Sequence, residues 1–318
     1  MKGKVIKSTG SWYQVRTETG EVLPARIVGK FRLEGQNVTN PIAVGDDVNV
    51  ELETDAGQEQ GIINKIYPRK NYVARQSPRR KQDIHLLASN IDQAVLFVTI
   101  VHPNLKQGFI DRFLLTTEPQ DIPTIIVVNK ADLYSDGDMR VFDFIKNIYE
   151  KIGYTVLLTS ILQSASLVSL KAVLTDKISL VSGQSGVGKS SVINAIQPAL
   201  HLRTGELSDY SGKGQHTTTF AEMHALSFGG SIIDTPGIKS LAFNNLEPMD
   251  VAHNFREFFA LSDNCRFRGS CTHRNEPKCA VKAAIAEGSI NELRYANYLQ
   301  ILEEIEDQNY WERHSDEW

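Results

Sequence analysis

"KISLVSGQSGVGKSSVINAI", residues 177–196, is the stretch on which the fold turns. An apolar run ends in Gly183-Gln184-Ser185-Gly186-Val187-Gly188-Lys189-Ser190, and a helix-patterned stretch opens at once behind it. This is G-x-x-x-x-G-K-[ST] in the strand–turn–helix setting that the motif requires. Its glycines let backbone N–H groups curl around phosphate oxygens at a helix N-terminus. In such a loop Lys189 reaches the β- and γ-phosphates, Ser190 holds Mg²⁺, and Ser191 lies one step along the helix. A plain glycine-rich turn is the competing reading.

Upstream, "PTIIVVNKAD", residues 123–132, ends another apolar run in a polar turn. Ligands in open α/β sheets sit beyond the carboxyl ends of strands, so the turn gains weight from the strand before it. Asp132 can accept from N1–H and the 2-amino group of guanine, whereas adenine leaves the carboxylate unpaired, and such a site rejects the wrong base. Asn129 would buttress the loops and Lys130 would lie over the ring. "YTVLLTS", residues 154–160, places Thr159 and Ser160 where a further base contact belongs. The bland alternative for "NKAD" is a solvated turn. In "SIIDTPG", residues 231–237, Asp234 is placed to hold a Mg²⁺-bound water and Gly237 to donate its N–H to the γ-phosphate. "GKGQHTTTF", residues 212–220, is rich in hydroxyls. Thr218 is the first choice to complete the Mg²⁺ shell, with Thr217 and Thr219 as alternatives and a solvated loop as the rival.

The rest of the chain divides around these motifs. Residues 3–66 carry short alternating or β-branched runs punctuated by Gly and Asp, enough for five strands and a small barrel, with the OB-fold leading. The expected division is an OB-fold RNA-binding domain at 1–68, a basic linker at 69–91, the nucleotide domain at 92–244 and a helical metal-binding domain at 245–318. Strands such as "QAVLFVTI" (93–100) alternate with helical stretches such as "MRVFDFIKNIYEKI" (139–152), which predicts a parallel α/β sheet.

Net charge is −4 over 318 residues, but residues 1–82 are net +5 and the remainder net −9. Such asymmetry suggests that one end meets a polyanion. Arg69, Lys70, Arg75, Arg79, Arg80 and Lys81 form an acid-free run that could meet phosphates, while Trp12, Tyr13 and Tyr72 could stack on bases if exposed. A solvated linker and buried barrel aromatics are the alternative. A second basic group, Arg266, Arg268, Arg274, Lys278 and Lys282, surrounds the three cysteines. Those read Cys265-x5-Cys271-x-His273-x5-Cys279. Three thiolates and an imidazole make a closed Zn²⁺ shell, hence a structural site, against a disulfide plus one free thiol. Neither a signal-peptide pattern nor an apolar run of membrane-span length occurs, so a cytoplasmic protein without membrane contact is expected, and a monomer.

Taken together, "GQSGVGKSS", "GQHTTT", "DTPG", "NKAD" and the Cys/His cluster resemble the circularly permuted GTPases, and among them the RsgA family of small ribosomal subunit biogenesis GTPases. The order is the most specific feature: the base loop precedes the phosphate loop, the reverse of most GTP-binding domains. The resemblance implies an α/β, circularly permuted P-loop GTPase domain with an N-terminal OB-fold β-barrel and a C-terminal helical zinc-binding domain. It implies GTP hydrolysis to GDP stimulated by the 30S subunit, contact with 16S rRNA near the decoding region, and Mg²⁺ with GTP. Ile238 stands near where many GTPases carry the Gln that orients water, and His216 in the threonine loop matches the family's pattern for that task, with a surface histidine as the alternative. Gly186 stands where potassium-activated GTPases have Asn, so potassium dependence is not expected. Because "DTPGI" runs straight into the C-terminal region, the GTP state is expected to be read out as movement of that region. The rivals are an RNA-binding assembly protein whose GTP site does not turn over, and a P-loop kinase or ATPase, against which Asp132 argues.

Overall fold

The computed structural model describes residues 1–27, 40–55, 58–76, 84–202, 221–234 and 246–313. Strands β1 (Lys2–Ser8), β2 (Tyr13–Thr17), β3 (Val22–Ile27), β4 (Asp47–Asp55) and β5 (Gln58–Ile66) close a five-stranded barrel. Closure comes from β1 pairing with both β2 and β4, and from β3 running parallel to β5. Alternation sends Val5, Val15, Ala25, Val48, Val50 and Ile63 inward, with Tyr13 among them. Tyr13 is therefore a core residue, its hydroxyl donating to Asn40 Oδ1 at 3.0 Å, and it offers no stacking face. Trp12 beside it is 45% exposed.

The stretch expected as a linker contains a hairpin instead, β6 (Tyr72–Gln76) with β7 (Ile84–Ser89). Its root is locked to the barrel through Asp46, which is fully buried and accepts from Ala43 N at 2.8 Å, Ser89 Oγ at 2.6 Å and the Arg69 guanidinium at 2.6 Å. Gly45 passes so close to this root that a Cβ would lie 2.0 Å from Ser89 O.

The central sheet consists of β8 (Gln93–Val98), β9 (Thr124–Val128), β10 (Thr155–Leu158), β11 (Ile178–Gly183), β12 (Glu222–Ala225) and β13 (Ser231–Asp234), in the order β10-β9-β8-β11-β13-β12. All pairings are parallel except that of β12, which also touches β1 through Lys7 and Glu222, so the hydrogen-bonded sheet runs on into the barrel. Residues of α1 (Phe109–Thr117) and α2 (Asp136–Lys151) pack on one face of the sheet. Those of α3 (Ser164–Leu174) and α4 (Lys189–Ile196) pack on the other. The chain thus leaves β8 over one face and β11 over the opposite face, although these two strands are neighbours. That reversal is a topological switch point, where open α/β sheets bind ligands beyond the strand ends.

The C-terminal helices α5 (Pro248–Asn254), α6 (Arg256–Ser262), α7 (Ala280–Ala286) and α8 (Glu292–Arg313) build their own core around Phe255, Phe258 and Tyr298. Leu115 of α1 belongs to that core, while Ile110, Phe113 and Leu114 of the same helix belong to the core of the sheet. Beside Leu115 lies a buried ion pair: Arg294 Nη1 donates to Asp111 Oδ1 at 2.6 Å, and the two residues are 3% and 0% exposed. Tyr149 and Asn297 also donate to Asp111, each at 2.5 Å, and Glu257 takes the rest of the guanidinium at 2.7 and 2.9 Å. Arg256 adds a bond to Glu118 at 2.8 Å. Movement of the C-terminal helices relative to the sheet must therefore break a buried pair or carry α1 along. Residues 235–245, on which the expectation of such movement rests, lie outside the described residues.

Removing one partner of a buried pair leaves the other charge uncompensated. Arg294→Leu is accordingly expected to lower unfolding free energy by about 3–5 kcal/mol, as measured by urea denaturation. A loss below about 1 kcal/mol would mean that apolar packing alone fastens α1 to the C-terminal helices.

Candidate nucleotide and metal sites

The loop expected to hold phosphate follows β11 and ends in α4. Gly183, Gly186 and Gly188 have φ of 149°, 83° and 88°, the region that disfavours side chains. At Gly183 a Cβ would also come within 2.2 Å of Phe97 O on β8, so the loop lies hard against the neighbouring strand. Gly188 caps α4, directing the first N–H groups of the helix into the loop. Lys189 Nζ donates to Gly183 O at 3.0 Å and Gln184 O at 2.9 Å, which folds the ammonium back over the loop. Burial pushes its pKa down, and Asp234 across the site pushes it up. Asp234, at the end of β13, is 9% exposed; burial raises its carboxyl pKa, with Lys189 and His224 opposing. A buried carboxylate and a half-buried ammonium thus interact across the loop.

The base loop meets the phosphate loop directly. Asn129 is 2% exposed and its Nδ2 donates to Val187 O at 2.9 Å. A Cβ on Gly188 would stand 2.6 Å from that nitrogen, so glycine is required there by contact as well as by φ. Thr159 and Ser160, expected to contact the base, are bonded to Asn129 and Asp132. Thr159 Oγ1 donates to Asn129 Oδ1 at 3.0 Å, and Ser160 Oγ donates to Asp132 Oδ1. Lys130 has φ 68°, which reverses the chain after Asn129, and its Nζ donates to His102 O. Burial lowers the Lys130 pKa, with Asp132 opposing. One residue of this loop escaped the sequence reading: Tyr134, whose hydroxyl accepts from Ile100 N at 3.0 Å and donates to Asn129 O at 2.5 Å. The only sequence signal is an aromatic residue five positions after Asn129.

Ser190 and Ser191 lie in the first turn of α4, half-buried. His216, Thr218 and Gly237 lie outside the described residues, as do Arg79, Arg80 and Lys81. Arg75 is in β6 and Lys70 is exposed, within 3.5 Å of Asp92. Arg69, by contrast, is committed to Asp46 and to Pro41 O at 2.7 Å, so its guanidinium holds the hairpin root.

Cys265, Cys271, His273 and Cys279 converge, their ligand atoms all within 4.8 Å of one another and each side chain no more than 6% exposed. All three thiols are free, which removes the disulfide alternative. Zn–S near 2.3 Å and Zn–N near 2.0 Å place tetrahedral ligands about 3.5–3.8 Å apart. The cluster has Cys265 Sγ and Cys279 Sγ at 3.7 and 3.4 Å from His273 Nδ1, and 4.0 Å from each other. Donor set and spacing therefore fit a closed zinc shell. Around it, Ala280 N donates to Cys265 Sγ at 3.3 Å, and Tyr295 and Tyr298 donate to the carbonyls of His273 and Thr272. Arg274, in the basic group around the cluster, is paired with Glu306, while Arg266, Arg268 and Lys278 are exposed. Among the described residues no helix is long and apolar enough to cross a membrane.

Comparison with known proteins agrees with this architecture. Residues 66–244 match the family model described as RsgA GTPase, and residues 2–63 match the RsgA N-terminal domain. The chain is 46% identical to the small ribosomal subunit biogenesis GTPase RsgA of Flavobacterium johnsoniae over 95% of this chain and 93% of that protein. It is likewise 46% identical to RsgA of Phocaeicola vulgatus, over 98% and 99% of the two chains. Among solved structures, YjeQ from Thermotoga maritima superposes with a TM-score of 0.75 at 36% identity, covering 95% of this chain and 97% of its own. YloQ, described as a circularly permuted GTPase, gives 0.72 at 34% identity, with 96% and 95% coverage. A circularly permuted sheet whose base loop is bonded to its phosphate loop, behind a five-stranded barrel and ahead of a Cys₃His cluster, thus belongs to the RsgA family of GTPases.

Proposed function

We propose that this chain hydrolyses GTP to GDP and phosphate on the small ribosomal subunit, late in maturation of the 16S rRNA decoding region, and that docking on the 30S subunit stimulates turnover. The observation that carries the nucleotide part is the bond from Asn129 to Val187 O, which sets the base loop and the phosphate loop side by side. The ribosomal part is supported by relatives that carry the name of small ribosomal subunit biogenesis GTPases. The basic excess of residues 1–82 supports a polyanionic partner. We place the activity in the cytoplasm, on a monomer.

In this reading Asp132, steadied by Ser160, accepts from the guanine edge, and Lys130 covers the ring. Gly183 to Ser191 supply N–H groups to the phosphates. Lys189 leaves the loop carbonyls it now holds and neutralises charge on the β- and γ-phosphates. Ser190 and Asp234 are oxygen donors suited to Mg²⁺, with Thr218, or else Thr217 or Thr219, completing the shell. When bound, Mg²⁺ offsets phosphate charge as it develops in the transition state. His216 orients the attacking water, and Gly237 donates to the γ-phosphate. Cys265, Cys271, His273 and Cys279 hold one structural zinc that fixes the turns between α6 and α7. Lys70, Arg75, Arg79, Arg80 and Lys81 meet rRNA phosphates, while Arg69 is held by Asp46 at the root of the hairpin.

Steady-state hydrolysis of GTP and ATP, each with and without purified 30S subunits, tests the proposal. GTP turnover alone is expected to rise with 30S, and Lys189→Ala to lower it by roughly 100- to 1,000-fold. Equal rates with and without 30S would take the ribosome out of the reading. Undetectable GTP turnover with 30S present would favour an assembly protein that binds GTP without turning it over. For the metal, elemental analysis of the purified chain is expected to give about one zinc, lost in Cys271→Ser together with several kcal/mol of stability. Full stability without zinc would contradict a structural role.

A further inference from the structure

The loop between β8 and α1, residues 99–108, reaches the base-reading turn at two points. Lys130 Nζ donates to His102 O, and the Tyr134 hydroxyl joins Ile100 N–H to Asn129 O. That loop is itself pinned, with Thr99 Oγ1 donating to Pro103 O at 2.7 Å and Leu105 N to Ile100 O at 3.2 Å. The Tyr134 hydroxyl is hydrogen-bonded to both walls at once. It lies at the edge of the core shared by β8, α1 and α2, and burial raises its hydroxyl pKa to about 12, so it is a neutral donor at any working pH. The carbonyl it holds belongs to Asn129, whose side-chain amide bonds to the phosphate loop and to Thr159. The next residue takes the left-handed turn that sets the direction of Asp132.

We propose that Tyr134 is a positioning residue for guanine: its hydroxyl fixes the peptide after Asn129 against residue 100, and thereby where Asp132 and Lys130 meet the base. The inference rests on the reading of Asp132 as the guanine-binding carboxylate. It makes the loop 99–108 a third wall of the base site, beside the "NKAD" and "TS" turns. Because the hydroxyl acts at the base end, its loss falls equally on GDP and GTP and spares the phosphoryl chemistry. Its loss also erodes the part of discrimination that depends on the 2-amino group, since a carboxylate free to shift bonds guanine and hypoxanthine more nearly alike.

Tyr134→Phe keeps the ring and removes only the hydroxyl. With the full chain, Kd for GDP and for a non-hydrolysable GTP analogue is expected to rise roughly 10-fold in both cases. KM rises with them, kcat at saturating GTP stays within about 2-fold, and preference for GTP over ITP falls roughly 10-fold. Asp132→Asn and the double variant complete the set, with melting midpoints measured for each. If Tyr134 acts through Asp132, the double variant loses less affinity than the two single losses combined. Wild-type GDP affinity and an unchanged GTP/ITP preference in Tyr134→Phe would overturn the proposal. So would a loss that simply adds to that of Asp132→Asn. Wild-type affinity in Asp132→Asn would instead overturn the guanine-site reading beneath it.

Discussion

The hydrogen bond from Asn129 Nδ2 to Val187 O spans 58 residues of sequence and joins two loops that local chain connectivity does not bring together. Most of the site's architecture follows from it. It needs β8, β9 and β11 adjacent, so that turns leaving β9 and β11 emerge on the same rim. It also needs Gly188, because a Cβ there would stand only 2.6 Å from the amide nitrogen. Thr159, on β10's exit turn, then holds the other end of the same amide. Three turns, one after each of three parallel strands, are tied through a single buried side chain. Strand position rather than chain order sets that arrangement, which is why a permuted chain can build it.

Much of this was legible in the sequence because its signals are short and local. A glycine-lysine-serine turn after an apolar run, "NKAD" after another, and four metal-ligand residues within fifteen positions each carry their chemistry in contiguous residues. The five barrel strands were legible for the same reason, by alternation. What escaped depends on partners far along the chain. Arg69 read as a free cation, yet its carboxylate, Asp46, stands 23 residues earlier in a buried turn. The hairpin of β6 and β7 read as a linker because its basic residues mask alternation. The bonds by which Thr159 and Ser160 brace Asn129 and Asp132 reach back about 30 residues and have no local signal in the sequence. Tyr134 carries no local signal, because its partners are backbone groups of two different loops.

The sequence leads to the expectation that nucleotide state is read out by the C-terminal helices. Sequence order suggested a route through the segment after Asp234. The described structure provides a second mechanical connection, through α1, which shares Leu115 with the C-terminal core and Asp111 with Arg294. Helix α1 begins where the loop 99–108 ends, and that loop touches Lys130 and Tyr134. The turn carrying Lys130 and Tyr134 and the helices around the Cys₃His cluster are thus connected by continuous packed structure. Any shift in one that displaces α1 is opposed by a buried ion pair on the other side.

The central claim is that the base loop and the phosphate loop form one unit through Asn129. A double-mutant cycle on GDP affinity, with Gly188→Ala and Asn129→Ala singly and together, tests it most directly. Each substitution alone weakens GDP binding on this account. Shortening Asn129 also removes the atom that an alanine at 188 would strike, leaving only the strain of φ 88°. The combined loss should then fall short of the sum by at least about 1 kcal/mol. Losses that add to within about 0.5 kcal/mol would show the two loops acting independently and would contradict the account.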